Sequence, residues 1–188
     1  QANPRFPDQV LMQGFTAVEI SAAAVGIGVL FGAGLLYWGN RFKNTRRTTI
    51  ILYGILGGAA LVAAGIVVNH SAGLPVAVPL AAAAIAAFGL FVLAGATPAA
   101  LGLLADISER FPKDRGAIMG LYSVFLAVGQ IVGALIGGIA ADARGIDGML
   151  IATVALLILA LVPLAQLRRG EEELGTVVPA PEPSDRPA

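Results

Sequence analysis

Few side chains in this 188-residue chain could do chemistry, and those few stand in or beside long apolar stretches. Glu19 is the one carboxylate placed to lie inside such a stretch. An acid at membrane depth is costly and marks function by default, so Glu19 is a candidate protonation site that couples proton and solute movement. Read locally, Glu19 stands in the first turn of a helix, where a carboxylate meets the positive end of the helix dipole at little cost. Both readings stay open. Gln130 lies near the centre of another apolar stretch, and its amide needs a partner there, either a solute or a neighbouring helix. Asp106, Glu109, Arg110, Lys113, Asp114 and Arg115 form a mixed-charge connector. It is either a solvated loop or an inner gate in which Asp106 pairs with Arg115 or with another part of a larger protein. His70, between Asn69 and Ser71, is either a wet turn residue or a group that senses pH.

Catalysis is poorly served by this inventory, and no enzyme activity is expected. The chain has no cysteine and one histidine, so thiolate nucleophiles and Cys- or His-rich metal sites are excluded. Ser123 sits in the aliphatic context GLYSVFL with no histidine at its depth, which does not suit a serine nucleophile. No acidic cluster lies within the apolar stretches to hold a metal for phosphoryl chemistry. Neither a cofactor nor a metal is expected.

The elements that carry these residues are five long apolar stretches, about 15–38, 48–68, 74–105, 116–141 and 149–167. Each is long enough to cross a hydrocarbon core, which needs about 20 helical residues. If all five cross, the connectors alternate sides. One side then holds Arg41, Lys43, Arg46, Arg47, Arg110, Lys113, Arg115, Arg168, Arg169 and Arg186, and the other only Arg5 and Arg144. That sorting is the positive-inside bias. It predicts a cell-membrane protein with residues 1–14 outside and the C-terminus in the cytoplasm. The composition agrees: 57% hydrophobic, 13% charged, mean hydropathy +0.82. Zero formal net charge, segregated by side, leaves no basic face for nucleic acid. The expected fold is therefore an all-α integral membrane bundle with lipid as its first partner. Residues 168–188, with three consecutive glutamates and then prolines, read as a disordered cytoplasmic tail. An odd number of spans, with a polar, Pro-containing start on the outside, reads as the C-terminal portion of a longer protein.

The third stretch is too long for one perpendicular crossing and too short for two. One tilted helix fits, kinked at Thr97-Pro98, where the missing N–H of Pro98 frees the carbonyl of Ala94. Gly129, Gly133 and Gly137 repeat every four residues, and Gly28 and Gly32 do the same in the first stretch. These are expected to be packing faces, with sliding or bending during motion as the functional variant.

Residues 34–47, GLLYWGNRFKNTRR, resemble the cytoplasmic loop signature of major facilitator superfamily transporters, in the weaker copy of their C-terminal halves. Gly34 is followed by Asn40-Arg41 and Arg46-Arg47; Asn40 replaces the acid, the spacing is longer, and the internal glycine is absent. Thr97-Pro98, Ala105-Asp106, Arg115-Gly116, Gly120, Gly129, Gly133, Gly137-Gly138, Asp142 and Gly145 are similar to the penultimate helices of that family. The resemblance implies helices eight to twelve of a twelve-helix member, part of the C-terminal six-helix bundle. It implies a secondary transporter working by alternating access, whose partners are the other half of the same protein, a small solute and, where coupled, protons. On this mapping the first, third and fourth spans border the cavity, and the second and fifth face lipid. Phe88, Phe91, Thr97, Tyr122 and Gln130 become cavity candidates, and Asn40, Arg41, Arg46, Arg47, Asp106 and Arg115 the cytoplasmic loop and gate. A mostly apolar cavity with phenylalanines leans toward efflux of an amphiphilic or drug-like solute. The alternative is a small accessory membrane protein or an oligomeric channel-like carrier.

Overall fold

Every backbone donor and acceptor in lipid must be satisfied within the chain, and here helices do that work. The structure, a computed structural model, describes residues 4–41 and 45–177, with the side chains of residues 170–177 left aside. A single 3-10 turn, Val10–Met12, precedes five helices: α1 (Ala17–Arg41), α2 (Arg47–Asn69), α3 (Ala77–Leu93), α4 (Ala96–Arg110) and α5 (Arg115–Val177). No strand occurs among the described residues. α1, α2, the continuous run 77–110 and α5 are each long and apolar enough to cross a membrane. The fold is all-α.

α5 is interrupted at Arg144 (φ −138°) and Gly145 (φ +64°, ψ −145°). A positive φ with extended ψ suits glycine alone. The chain reverses there, and Gly148 comes to lie directly against the carbonyl of Ala140. The limbs 115–143 and 146–177 are thus a hairpin. The helix continues past Arg169 to Val177, where the sequence suggests a disordered tail. The rest of that expected tail, residues 178–188, lies outside the described residues, as do residues 1–3 of the outer segment and Lys43 of the first basic loop.

α3 and α4 are one span with a break. The Gly95 N–H bonds to Val92 O at 3.1 Å, three residues back, and regular pairing resumes with Ala99 N–H to Gly95 O at 3.2 Å. Pro98, in the first turn of α4, has no N–H to offer Ala94 O, and its ring cannot sit beneath that carbonyl in a straight helix. The break falls at Ala94–Gly95, one turn before the proline.

The mapping places the second span against lipid, yet α2 is the helix on which α3, α4 and α5 pack, while α1 packs on α3 and α4. The glycines of α2 explain the difference. A Cβ at Gly57 would lie 2.7 Å from Gly89 O, and one at Gly54 would lie 2.6 Å from the Ala96 Cβ. Gly58 faces Leu157 and Leu93, and Gly65 faces Leu150, so the second limb of α5 closes on the same helix. Ile50, Ile55, Val62 and Ala64 of α2 are buried in consequence. The outer flank of α2, including Tyr53 and Leu56, stays exposed. The glycines expected to pack behave oppositely: Gly28, Gly32, Gly129, Gly133 and Gly137 have nothing within 4 Å of where a Cβ would stand. Their faces are open in this chain.

Gly57→Ala should therefore lower the thermal unfolding midpoint of the purified chain in detergent. The backbone contact at 2.7 Å cannot yield as a side chain would, and overpacking of this kind costs about 1–3 kcal/mol. Gly28→Ala, in open space, should leave the midpoint unchanged or raise it slightly. Equal effects of the two substitutions would contradict the packing described.

Candidate functional site

The sequence candidates fall into four places. Phe88 and Phe91, on α3, converge with residues of α1 and α2 on one apolar pocket of about 490 Å³. Tyr37 and Trp38 form one wall, Tyr53, Leu56 and Ala60 the other. Trp38 is fixed by the helix break. With the Gly95 N–H turned to Val92, the Phe91 carbonyl is free to accept the Trp38 indole N–H at 3.0 Å. Gly95 leaves room for that indole, since a Cβ there would lie 2.7 Å from Cγ of Trp38. Tyr37 stacks edge-on to Trp38 at 5.3 Å between centroids and lies 5.4 Å from the Phe91 ring, within the range where aromatic pairs attract beyond their buried area.

Thr97, Tyr122 and Gln130 are not part of this pocket. Thr97 is nine residues from Phe88, about half a turn away around a helix of 3.6 residues per turn. Tyr122 and Gln130 lie on the first limb of α5, where Tyr122 is seven residues before Gly129 and Gln130 seven before Gly137. Tyr122 is half-buried and Gln130 exposed. Ser123 Oγ donates to Met119 O of its own helix at 3.1 Å.

At the basic end, Arg47 Nη1 lies 2.7 Å from Asp106 Oδ2. The guanidinium rests over Gly102, one turn before Asp106, where a Cβ would come within 2.7 Å of Nη1. The contact is an ion pair without hydrogen-bond alignment, and the buried Nη1 has no hydrogen-bond partner among the described residues. Arg47 rather than Arg115 stands against Asp106, joining the start of α2 to the end of α4. Asn40 and Arg41 end α1, and Arg46 caps α2; these side chains are exposed.

Glu19 lies in the first turn of α1. Its Oε2 accepts from both the backbone N–H and the hydroxyl of Thr16 at 2.8 Å, and the Glu19 N–H donates to Thr16 Oγ1 at 3.3 Å. This reciprocal arrangement is a capping box. The Thr16-Ala17-Val18-Glu19 spacing carries that signal in the sequence.

The end of the bundle opposite the arginines holds a polar clasp that sequence reasoning did not assemble. Gln9, buried, donates to Arg144 O at 2.9 Å and to Asp147 Oδ2 at 3.3 Å, and accepts from Ile146 N–H at 2.9 Å. Asn69, fully buried, accepts from Leu11 N–H at 3.1 Å and donates to Asp147 Oδ1 at 2.8 Å. His70 lies 2.7 Å from Asp147 Oδ2 and 3.8 Å from Asp8. Arg5 meets Asp142 at 3.1 Å, both exposed, so that pair contributes little. The clasp fastens the segment before α1 to the ends of α2 and the α5 hairpin. No group of three or more metal-ligating side chains occurs among the described residues.

A family model, Major Facilitator Superfamily, matches residues 3–187. No curated protein and no solved structure matches the chain.

If the clasp holds as described, Gln9→Ala should deprotect the Ile146 amide. Losing one hydrogen bond of about 0.5–1.5 kcal/mol corresponds to roughly 3- to 10-fold faster hydrogen exchange at that amide. Unchanged exchange at Ile146 would remove Gln9 from the clasp.

Proposed function

The chain belongs to the major facilitator superfamily, and on that premise we propose that it is one helical bundle of a two-bundle secondary transporter. Membership makes it a multi-pass membrane protein of a transporter family whose members move small solutes. The observation that carries the finer reading is the pair of open glycine faces. Gly28 and Gly32 on α1, and Gly129, Gly133 and Gly137 on the first limb of α5, are bare, while Gly34, Gly54, Gly57 and Gly89 stand against backbone of neighbouring helices. A second bundle laid against those faces could approach closely and slide, as rocking about a midplane site requires. In this reading the described helices make five crossings, α5 supplying two, with the arginine-rich end in the cytoplasm.

The solute side of that interface would include Tyr122 and Gln130, with few charges to neutralise an ionic ligand. Such walls favour an amphiphilic solute, and export against a proton gradient is the transport mode that fits it. Position alone does not make Glu19 the coupling acid, because its carboxylate is already engaged by Thr16.

Proteoliposomes holding the 188-residue chain alone should show no saturable flux of amphiphilic solutes, whereas the two-bundle carrier should. Saturable flux from the chain alone would instead favour the small oligomeric carrier. Glu19→Gln in the carrier separates the roles of that residue, since glutamine serves a capping box as well as glutamate does. Accumulation per molecule should stay near wild type. Its collapse, with passive equilibration preserved, would make Glu19 the coupling site.

A further inference from the structure

We propose that the aromatic pocket between α1 and α2 is a binding site for an anionic phospholipid of the leaflet at the arginine-rich end. The site goes beyond the transport reading, and its orientation toward lipid rests on that reading.

Which way the pocket faces follows from helix geometry. Tyr37 is nine residues from Gly28, half a turn around α1 from the open glycine face. A second bundle covering that face leaves the pocket toward the membrane. Its interior is almost wholly apolar, lined by Phe88, Gly89 and Phe91 of α3 and flanked by Tyr37, Trp38, Tyr53, Leu56 and Ala60. At about 490 Å³ it has the size of small-molecule sites, roughly 300–1,000 Å³. A hydrocarbon chain suits such a lining.

The mouth of the pocket supplies a headgroup site. Arg41 lies one turn beyond Tyr37 on the same face of α1, about 6 Å along the axis. Arg46 lies two turns before Tyr53 on the matching face of α2, about 10 Å along. Arg47 is taken by Asp106, but neither Arg41 nor Arg46 has a carboxylate partner among the described residues. The Trp38 N–H is spent on Phe91 O, while the hydroxyls of Tyr37 and Tyr53 have no hydrogen-bond partner among the described residues. Two uncompensated guanidinium groups and two free hydroxyls above an apolar cleft complement a phosphodiester that carries net negative charge and an acyl chain. A zwitterionic headgroup would bring its own cation against the arginines.

Trp38 is the only tryptophan in the chain and lines the site, so its fluorescence reports occupancy directly. The chain is reconstituted in phosphatidylcholine bilayers containing trace phosphatidylglycerol or phosphatidylcholine brominated on the acyl chain. Brominated phosphatidylglycerol should quench Trp38 at lower mole fraction, by on the order of tenfold for two arginines at an anionic surface. Arg41→Gln with Arg46→Gln should abolish that preference without changing helicity by circular dichroism. Tyr37→Phe with Tyr53→Phe, which keeps the rings, should reduce it. Equal quenching by the two headgroups in the native chain, or a preference that survives the double arginine substitution, would overturn the proposal. Because no flux is measured, this result is independent of whether the chain transports.

Discussion

Lipid tails are as apolar as leucine, so no hydrophobic drive pulls membrane helices together, and close packing must do it instead. The bundle depends on one such contact, where the backbones of α2 and α3 meet at Gly57 and Gly89. There a Cβ on either glycine would strike the other's carbonyl oxygen. That approach makes α2 the central helix and brings α3 close enough for the second limb of α5 to close over Gly58 and Gly65. α3 ends one turn past that contact, where Pro98 leaves Ala94 O without an N–H and the chain bends. The Phe91 carbonyl released by that bend holds the indole, and the pocket walls follow from it.

The two ends of the bundle are tied by different physics. Toward the arginines, a single ion pair between Arg47 and Asp106 links α2 to α4, with side chains 28% and 48% exposed. Half-exposed pairs of this kind are screened and contribute modestly. At the opposite end, buried amides of Gln9 and Asn69 converge on Asp147. Buried amides are costly to leave unmade, so this end is the more rigid of the two.

Helical class and family were legible in the sequence because they rest on composition, span length and the sorting of arginines, which need no neighbours. The interior was less so. Gly129, Gly133 and Gly137 have the regular spacing that suggests packing, yet their face is open, while Gly54 and Gly58, equally spaced in α2, stand against Ala96, Leu93 and Leu157. Spacing shows that a small face exists and says nothing of what lies against it. Phe88 and Phe91 were visible as aromatics in an apolar stretch. Their partners Tyr37, Trp38 and Tyr53 come from other helices, and only the packing brings them together. The clasp escaped for the same reason: Gln9, Asn69 and Asp147 are far apart in sequence and individually ordinary. Thr16 and Glu19 differ, since their capping signal is local and was available.

In the proposed topology, alternating connectors place Thr45 and Ser71, at the two ends of α2, in opposite aqueous phases. The chain has no native cysteine, so a single cysteine at either position can be probed with a membrane-impermeant thiol reagent in intact cells. Cysteine at Ser71 should label from outside, and cysteine at Thr45 only after permeabilisation. Labelling of both from the same side would contradict the crossing of α2 and, with it, the arrangement of every helix that packs on it.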